Sequence, residues 1–225
     1  TKVTEQLGKE PKFVVSPSGI KSRYTDKETS EIFTMVMSGR INKAIVQMLQ
    51  KNGINAVGLS GMDGKTIEAN RKKKLMIMNE KGRKQVIDGG YTGKISNVNS
   101  ELIRTIMDKG YTPVISPIAI SEESEFLNVD GDRAAANVAG HVNSDKVLFI
   151  TNVDGLLMED KLVEKLSLQE AKEIMPKIGF GMEKKILAAT EALEMGVSEA
   201  LIANGQRENP ITSAIEHNKC TVISK

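Results

Sequence analysis

Among 225 residues there is one cysteine, Cys220, so no internal disulfide can form and a reducing, cytoplasmic setting is the default reading. No apolar run approaches the roughly 18 residues that a membrane span needs. Excess charge is also missing. The formal balance of +2 argues against a surface given over wholly to nucleic acid or membrane, and any basic patch must be local. There is no internal repeat and no low-complexity segment. The opening TKVTEQLGKEPKF is neither a signal peptide nor an ordinary start, and it reads as the last turns of a helix ending near Gly8.

What is present suits an α/β protein with a sizeable core, at 40% hydrophobic and 27% charged residues. In SRYTDKETSEIFTMVMSGRINKAIVQMLQKNG, Thr25 and Glu28 have capping-box spacing, and apolar residues follow at 33, 36, 37, 41, 44, 45, 48 and 49. The pattern predicts a helix of about 25 residues closed by Gly53. INAVGLSG reads as a buried strand, and residues 71–88 as two short strands around Asn79–Arg83, a basic hairpin. A helix at 99–109, the strand TPVISPIA, a helix at 132–142 and the strand KVLFIT follow; the last three elements make a crossover unit of a parallel sheet. Helices at 167–175 and 182–195, the strand EALIAN, a short helix and the strand CTVIS complete a three-layer α-β-α pattern with an inserted basic β-hairpin.

Three stretches carry concentrated polarity. LNVDGDRAAANVAG places Asn128, Asp130 and Asp132 before or at the mouth of a helix, whose free N–H groups favour anions; a solvated N-cap is the plainer account. TNVDGLL, at 151–157, is either a turn or a second loop on the same sheet edge, where ligands of parallel sheets gather. KIGFGMEKKILAATEAL sets Gly179 and Gly181 just before a helix bearing Lys184 and Lys185 in its first turns. Cations there oppose the helix dipole, which an anionic ligand would explain; solvated lysines on an exposed face are the plainer account.

SPSGIKSRYTD, GLSGMDG, GYTGKISNVNSELI, LNVDGDRAAANVA, TNVDGLL and GMEKKILAA appear in the order and spacing of the amino acid kinase family, and the chain resembles it over nearly its whole length. N-acetylglutamate kinase is one likeness; SRYTDKET and the basic hairpin more closely resemble its relatives acting on carrier-bound aminoadipate or glutamate. The resemblance implies an open, mostly parallel sheet between helices, with a substrate-binding and dimerising half at 1–120 and a nucleotide-binding half at 121–225. It implies transfer of the γ-phosphoryl of ATP, bound with Mg2+, to a side-chain carboxylate. Lys185 would neutralise the phosphoryl in flight and Asp132 would hold that lysine. Arg23 would bind the substrate's α-carboxylate and Asn128 its reacting end. Asn152, Val153, Asp154, Gly155, Leu156 and Leu157, with Lys177, Ile178 and Gly179, would line the nucleotide. A homodimer would form through the 26–51 helix. The family's first strand, ending in Lys-x-Gly-Gly, and its Gly-rich loop are not in this sequence. The chain as written is therefore expected to be a poor catalyst, and a non-catalytic sensor of amino acid or nucleotide stays open.

Between 71 and 84 seven cations face one anion, a local +6 that leaves −4 for the remainder. Lysines guarding an exposed strand edge are one account. Nucleic acid is another, although this stretch offers no aromatic side chain for stacking. An acidic carrier protein presenting a tethered substrate is the third, with Arg71, Lys72, Lys73 and Lys74 as its contacts.

Overall fold

Caps and left-handed residues set the element boundaries. The structure, a computed structural model, describes residues 2–17, 19, 21–179 and 181–225, so Ser18, Ile20 and Phe180 of the motifs above lie outside the described residues. The helix Lys2–Gln6 runs out at Gly8, whose φ of 77° is left-handed. The long helix that follows is capped by Asp26, not Thr25: the Asp26 carboxylate accepts the Thr29 N–H at 2.9 Å. Thr25 is only 1% exposed, and its carbonyl and hydroxyl are committed to Tyr91 and Asn128. Burial works to raise the Asp26 carboxyl, but the Lys9 ammonium at 2.7 Å and the Thr29 N–H outweigh it and hold the pKa at about 2.

The helix is α over Lys27–Thr34, π over Met35–Ile41 and α again over Asn42–Lys51. Gly53, at φ 78°, closes it, with its N–H on Gln50 O and the Ile54 N–H on Leu49 O, both at 3.0 Å. Asn42, buried at 2% exposure, donates to Leu59 O at 3.2 Å and Val114 O at 2.7 Å, fastening the helix to the parallel strands Ala56–Ser60 and Thr112–Ser116.

Two compact units emerge, Thr1–Asp130 and Gly131–Lys225. In the first unit, TPVISPIA breaks at Pro117, which has no N–H for a ladder. Its second piece, Ile118–Ile120, pairs antiparallel with Phe126–Asn128 and joins Ile67–Arg71, whose other edge carries Gly93–Val98. A further antiparallel sheet runs Lys21–Arg23, Phe13–Val15, Lys74–Met78, Lys84–Asp88. Its last two strands are the basic hairpin, whose turn is held by Asn79 Oδ1 accepting the N–H groups of Lys81 and Arg83 at 3.0 and 2.9 Å.

In the second unit, Lys146–Thr151 lies parallel to Glu199–Asn204 in full register, from Lys146↔Glu199 to Thr151↔Asn204. Thr221–Ser224 then runs antiparallel to Glu199–Asn204 and parallel to Lys165–Ser167. Phe149, Leu156, Ile186, Leu193, Val197, Ile202 and Ile223 form the core beneath the helices Gly131–His141 and Met182–Glu194. Antiparallel pairing thus takes a larger share than the crossover pattern alone suggests, and the fold is a mixed α/β one. Cys220 is buried, its Sγ 3.7 Å from Ala214 O, and burial pushes the thiol pKa up.

Candidate active site

The clearest constellation lies in the second unit. Lys185 Nζ donates to both oxygens of Asp132, at 2.9 and 3.0 Å, so the structure brings these two residues together. Each sits in the first turn or turns of its helix. Asp132 is favoured there by the dipole, and its charge answers the cation that the dipole disfavours. The two helices pack on each other, and many of their buried residues are small: Ala134, Ala136, Ala139 and Gly140 on one and Ala188, Ala189 and Ala192 on the other. Arg133 forks onto Glu191 across the same seam, with Nε to Oε2 at 2.9 Å. The alanine run after the polar mouth is small enough to let the helices pack closely, with Lys185 and Asp132 in contact at their first turns.

The loop 152–157 leaves the strand Lys146–Thr151 at its carboxyl end. Gly155 is required by close approach: its φ is 153°, and a Cβ would stand 2.4 Å from Thr221 Oγ1. That hydroxyl accepts the Leu156 N–H at 2.8 Å and donates to Val163 O at 2.7 Å. Leu156 itself is core, at 1% exposure, so it can serve a nucleotide only through the loop backbone. Asn152 and Leu157 are exposed, Val153 and Asp154 half-buried. Asn204 donates to Asp154 at 3.0 Å and Arg207 pairs with its other oxygen; the Asn204 bond, against some burial and with help from Arg207, lowers the Asp154 pKa. Lys177 ends the short turn Met175–Lys177, Ile178 packs on the core and Gly179 is exposed.

In the first unit, Arg23 Nη2 donates to Thr4 Oγ1 at 2.7 Å, while its Nε is buried without a hydrogen-bond partner. A buried guanidinium N–H left unpaired is costly, and an anionic ligand would supply the missing acceptor. Asn128 ends the strand Phe126–Asn128; its side chain donates to Thr25 Oγ1 at 3.2 Å, and Thr25 lies two residues from Arg23. Of the basic stretch, Lys72, Lys73 and Lys74 are exposed, but Arg71 is turned inward onto Glu125 and Gly90. The expectation that Arg71 faces a carrier meets a guanidinium already engaged by its own unit.

The model of the amino acid kinase family matches residues 2–204. The chain belongs to that family. A LysW-aminoadipate/LysW-glutamate kinase of Sulfolobus acidocaldarius is 47% identical over 224 residues, covering 99% of this chain and 85% of the relative. A protein of Nitrosopumilus maritimus, under the same name with a provisional prefix, is 81% identical over 223 residues, covering 99% of this chain and 84% of its own length. Among solved structures, the N-acetylglutamate synthase of Neisseria gonorrhoeae with coenzyme A and N-acetylglutamate superposes with a TM-score of 0.78 at 23% identity, over 100% of this chain and 49% of that one. That likeness is one of fold.

In this amino acid kinase two side chains that no local sequence pattern marks, Asn204 and Arg207, hold Asp154 of the 152–157 loop. The signal for them is topological: the parallel register puts Asn204 beside Thr151, so the NGQR turn leaves the sheet next to TNVDG. Thr221 is a third, visible only once the last strand is placed.

Proposed function

We propose that this amino acid kinase phosphorylates the side-chain carboxylate of aminoadipate or glutamate carried on a LysW-type protein, using ATP and forming an acyl phosphate. The observation that carries the transfer chemistry is the Lys185 ammonium held by both oxygens of Asp132; the substrate class follows the relatives' names. The acceptor carboxylate is ionised at neutral pH and needs no general base. One of its oxygens bonds to the γ-phosphorus while the bond to the β–γ bridging oxygen breaks, and ADP leaves with that electron pair. Lys185 offsets charge on the phosphoryl group in flight, and positioning supplies most of the remainder. Asn152, Val153, Asp154, Gly155, Leu156, Leu157, Lys177, Ile178 and Gly179 line the nucleotide; Arg23 grips the α-carboxylate and Asn128 the reacting end.

Among the described residues no group of three or more His, Cys, Asp or Glu side chains could hold a metal ion. Mg2+ would arrive on the phosphates of ATP and neutralise their charge there. Lys72, Lys73 and Lys74 steer an acidic carrier. A homodimer forms through the 26–51 helix, where Met35 and Met48 are 58% and 66% exposed. No helix among the described residues is long and apolar enough to cross a membrane, and a cytoplasmic setting suits the single thiol.

Hydroxylamine trapping tests the reaction in the full-length enzyme. Carrier-bound aminoadipate or glutamate should yield hydroxamate with one ADP released per trap. Equal turnover of free N-acetylglutamate would move the substrate to the free amino acid, and no hydroxamate from either would leave a sensor.

A further inference from the structure

Separate segments of the first unit meet on the Arg71 guanidinium. Nε donates to Gly90 O at 2.8 Å, Nη1 to both oxygens of Glu125 at 3.0 and 3.2 Å, and Nη2 reaches Asp88 at 3.5 Å. The guanidinium carbon lies 4.2 Å from the centroid of the Tyr91 ring. The side chain is 22% exposed, unlike the lysines that follow it.

The segments Arg71 holds are those that hold Asn128. Gly90, at φ 66°, lies so close to Thr25 that a Cβ would come within 2.3 Å of the Thr25 carbonyl oxygen. Tyr91 donates its N–H to that carbonyl at 2.7 Å and accepts the Asn128 N–H at 2.8 Å. The Thr25 hydroxyl accepts the Asn128 side-chain amide at 3.2 Å. Glu125 stands three residues before Asn128, immediately ahead of the same short strand. A closed ring of contacts therefore runs from Arg71 through Gly90 and Tyr91 to Thr25 and Asn128, and back through Glu125.

We infer that Arg71 is a positioning residue for phosphoryl transfer: it fixes the 88–91 loop and, through it, Thr25 and Asn128, and it does not receive the carrier. This rests on the reading of Asn128 and Arg23 as substrate residues. A lysine cannot replace it, because one ammonium on a flexible stem cannot bond Gly90 O, pair with Glu125 and stack on Tyr91 together. The same stretch of chain thus divides into an inward cation that shapes the site and outward cations that steer.

Steady-state kinetics of the full-length enzyme on carrier-bound aminoadipate, at low and high salt and with Tm measured alongside, separates these roles. Arg71→Met and Arg71→Lys should each lower kcat by about ten- to a hundredfold, the scale on which misplacement of a reacting group acts. KM for ATP and the salt dependence of kcat/KM should stay at wild-type values. Glu125→Gln should lower kcat in the same sense but less, and it carries the test if Arg71→Met does not fold. Three results overturn the inference: kcat preserved at saturating substrate with a raised KM whose excess changes with salt, wild-type kcat in Arg71→Lys, or a lowered Tm with kcat per folded molecule unchanged. Asn128→Ala distinguishes the two levels. Intact kcat in Asn128→Ala overturns the site reading and this inference with it, whereas a lowered kcat there beside normal Arg71 variants overturns this inference alone.

Discussion

The two units hold their candidate chemistry by different means. In Gly131–Lys225, opposite charges stand on two packed helices rich in buried alanine, so a stiff frame fixes the Lys185–Asp132 pair. In Thr1–Asp130, Asn128 and Thr25 are held by hydrogen bonds among loops and short strands, and Arg71 closes the ring. The first arrangement fails when a charge is removed, the second when a shape is lost. Helix seams suit a group that meets charge developing during transfer; loop networks suit a substrate whose ends must be grasped and released.

Removing the charge on the stiff side should have the largest effect. Lys185→Ala in the full-length enzyme should lower kcat by about a hundred- to a thousandfold, as loss of a transition-state donor does, with little change in substrate KM. An unchanged kcat would take Lys185 out of the transfer step. On the loop side, Arg23→Lys should raise KM for substrate on the order of tenfold and leave ATP binding alone, since the planar fork becomes a point charge. Collapse of ATP affinity with a steady substrate KM would mean that the two half-sites are interchanged.

Smaller effects sharpen the comparison at the surface. Changing Lys72, Lys73 and Lys74 together to Glu should cut kcat/KM for the carrier-bound substrate severalfold at low salt, and the deficit should shrink as the Debye length falls from about 10 Å at 0.1 M to about 3 Å at 1 M. A deficit that ignored salt would argue against steering. The smallest change is at the N-cap. The folded Asp26 pKa of about 2 lies below an unfolded value near 3.9, so its contribution is full above that value and fades as pH falls toward 2. Asp26→Ala should cost about 0.5–2 kcal/mol at neutral pH and weaken the acid dependence of stability over that window. Denaturant titrations from pH 5 to pH 2 would check it, and parallel curves for the two proteins would contradict the assignment.

Legibility tracked the range of the interactions. Lys185 and Asp132 stood out because each breaks or follows a local rule, a cation against a helix dipole and a carboxylate at a helix mouth. Arg71 was indistinguishable from its lysine neighbours because charge counting carries no partners, and Glu125 lies 54 positions away. Thr25 resembles a cap until its hydroxyl is seen bound to Asn128, 103 positions on. The π segment Met35–Ile41 leaves no mark in a 3.6-residue pattern, which shifts by a fraction of a turn without losing its apolar residues. The strand TPVISPIA hid its break because Pro117 sits inside an otherwise apolar run.

Cys220 gives the second unit a built-in clock. It is the sole cysteine of the sequence, it is sealed at 1% exposure, and burial keeps its thiol protonated more readily than a free one. An alkylating reagent needs an exposed thiolate, so it can mark this chain only in molecules where the segment entering Thr221–Ser224 has opened. Thr221, the next residue, holds the Leu156 N–H and fills the space beside Gly155. The rate at which an unmodified chain takes up one label therefore times the opening around Cys220, and a slowing of that rate by nucleotide would show that an occupant steadies the strand whose first residue holds the 152–157 loop, with no probe engineered in.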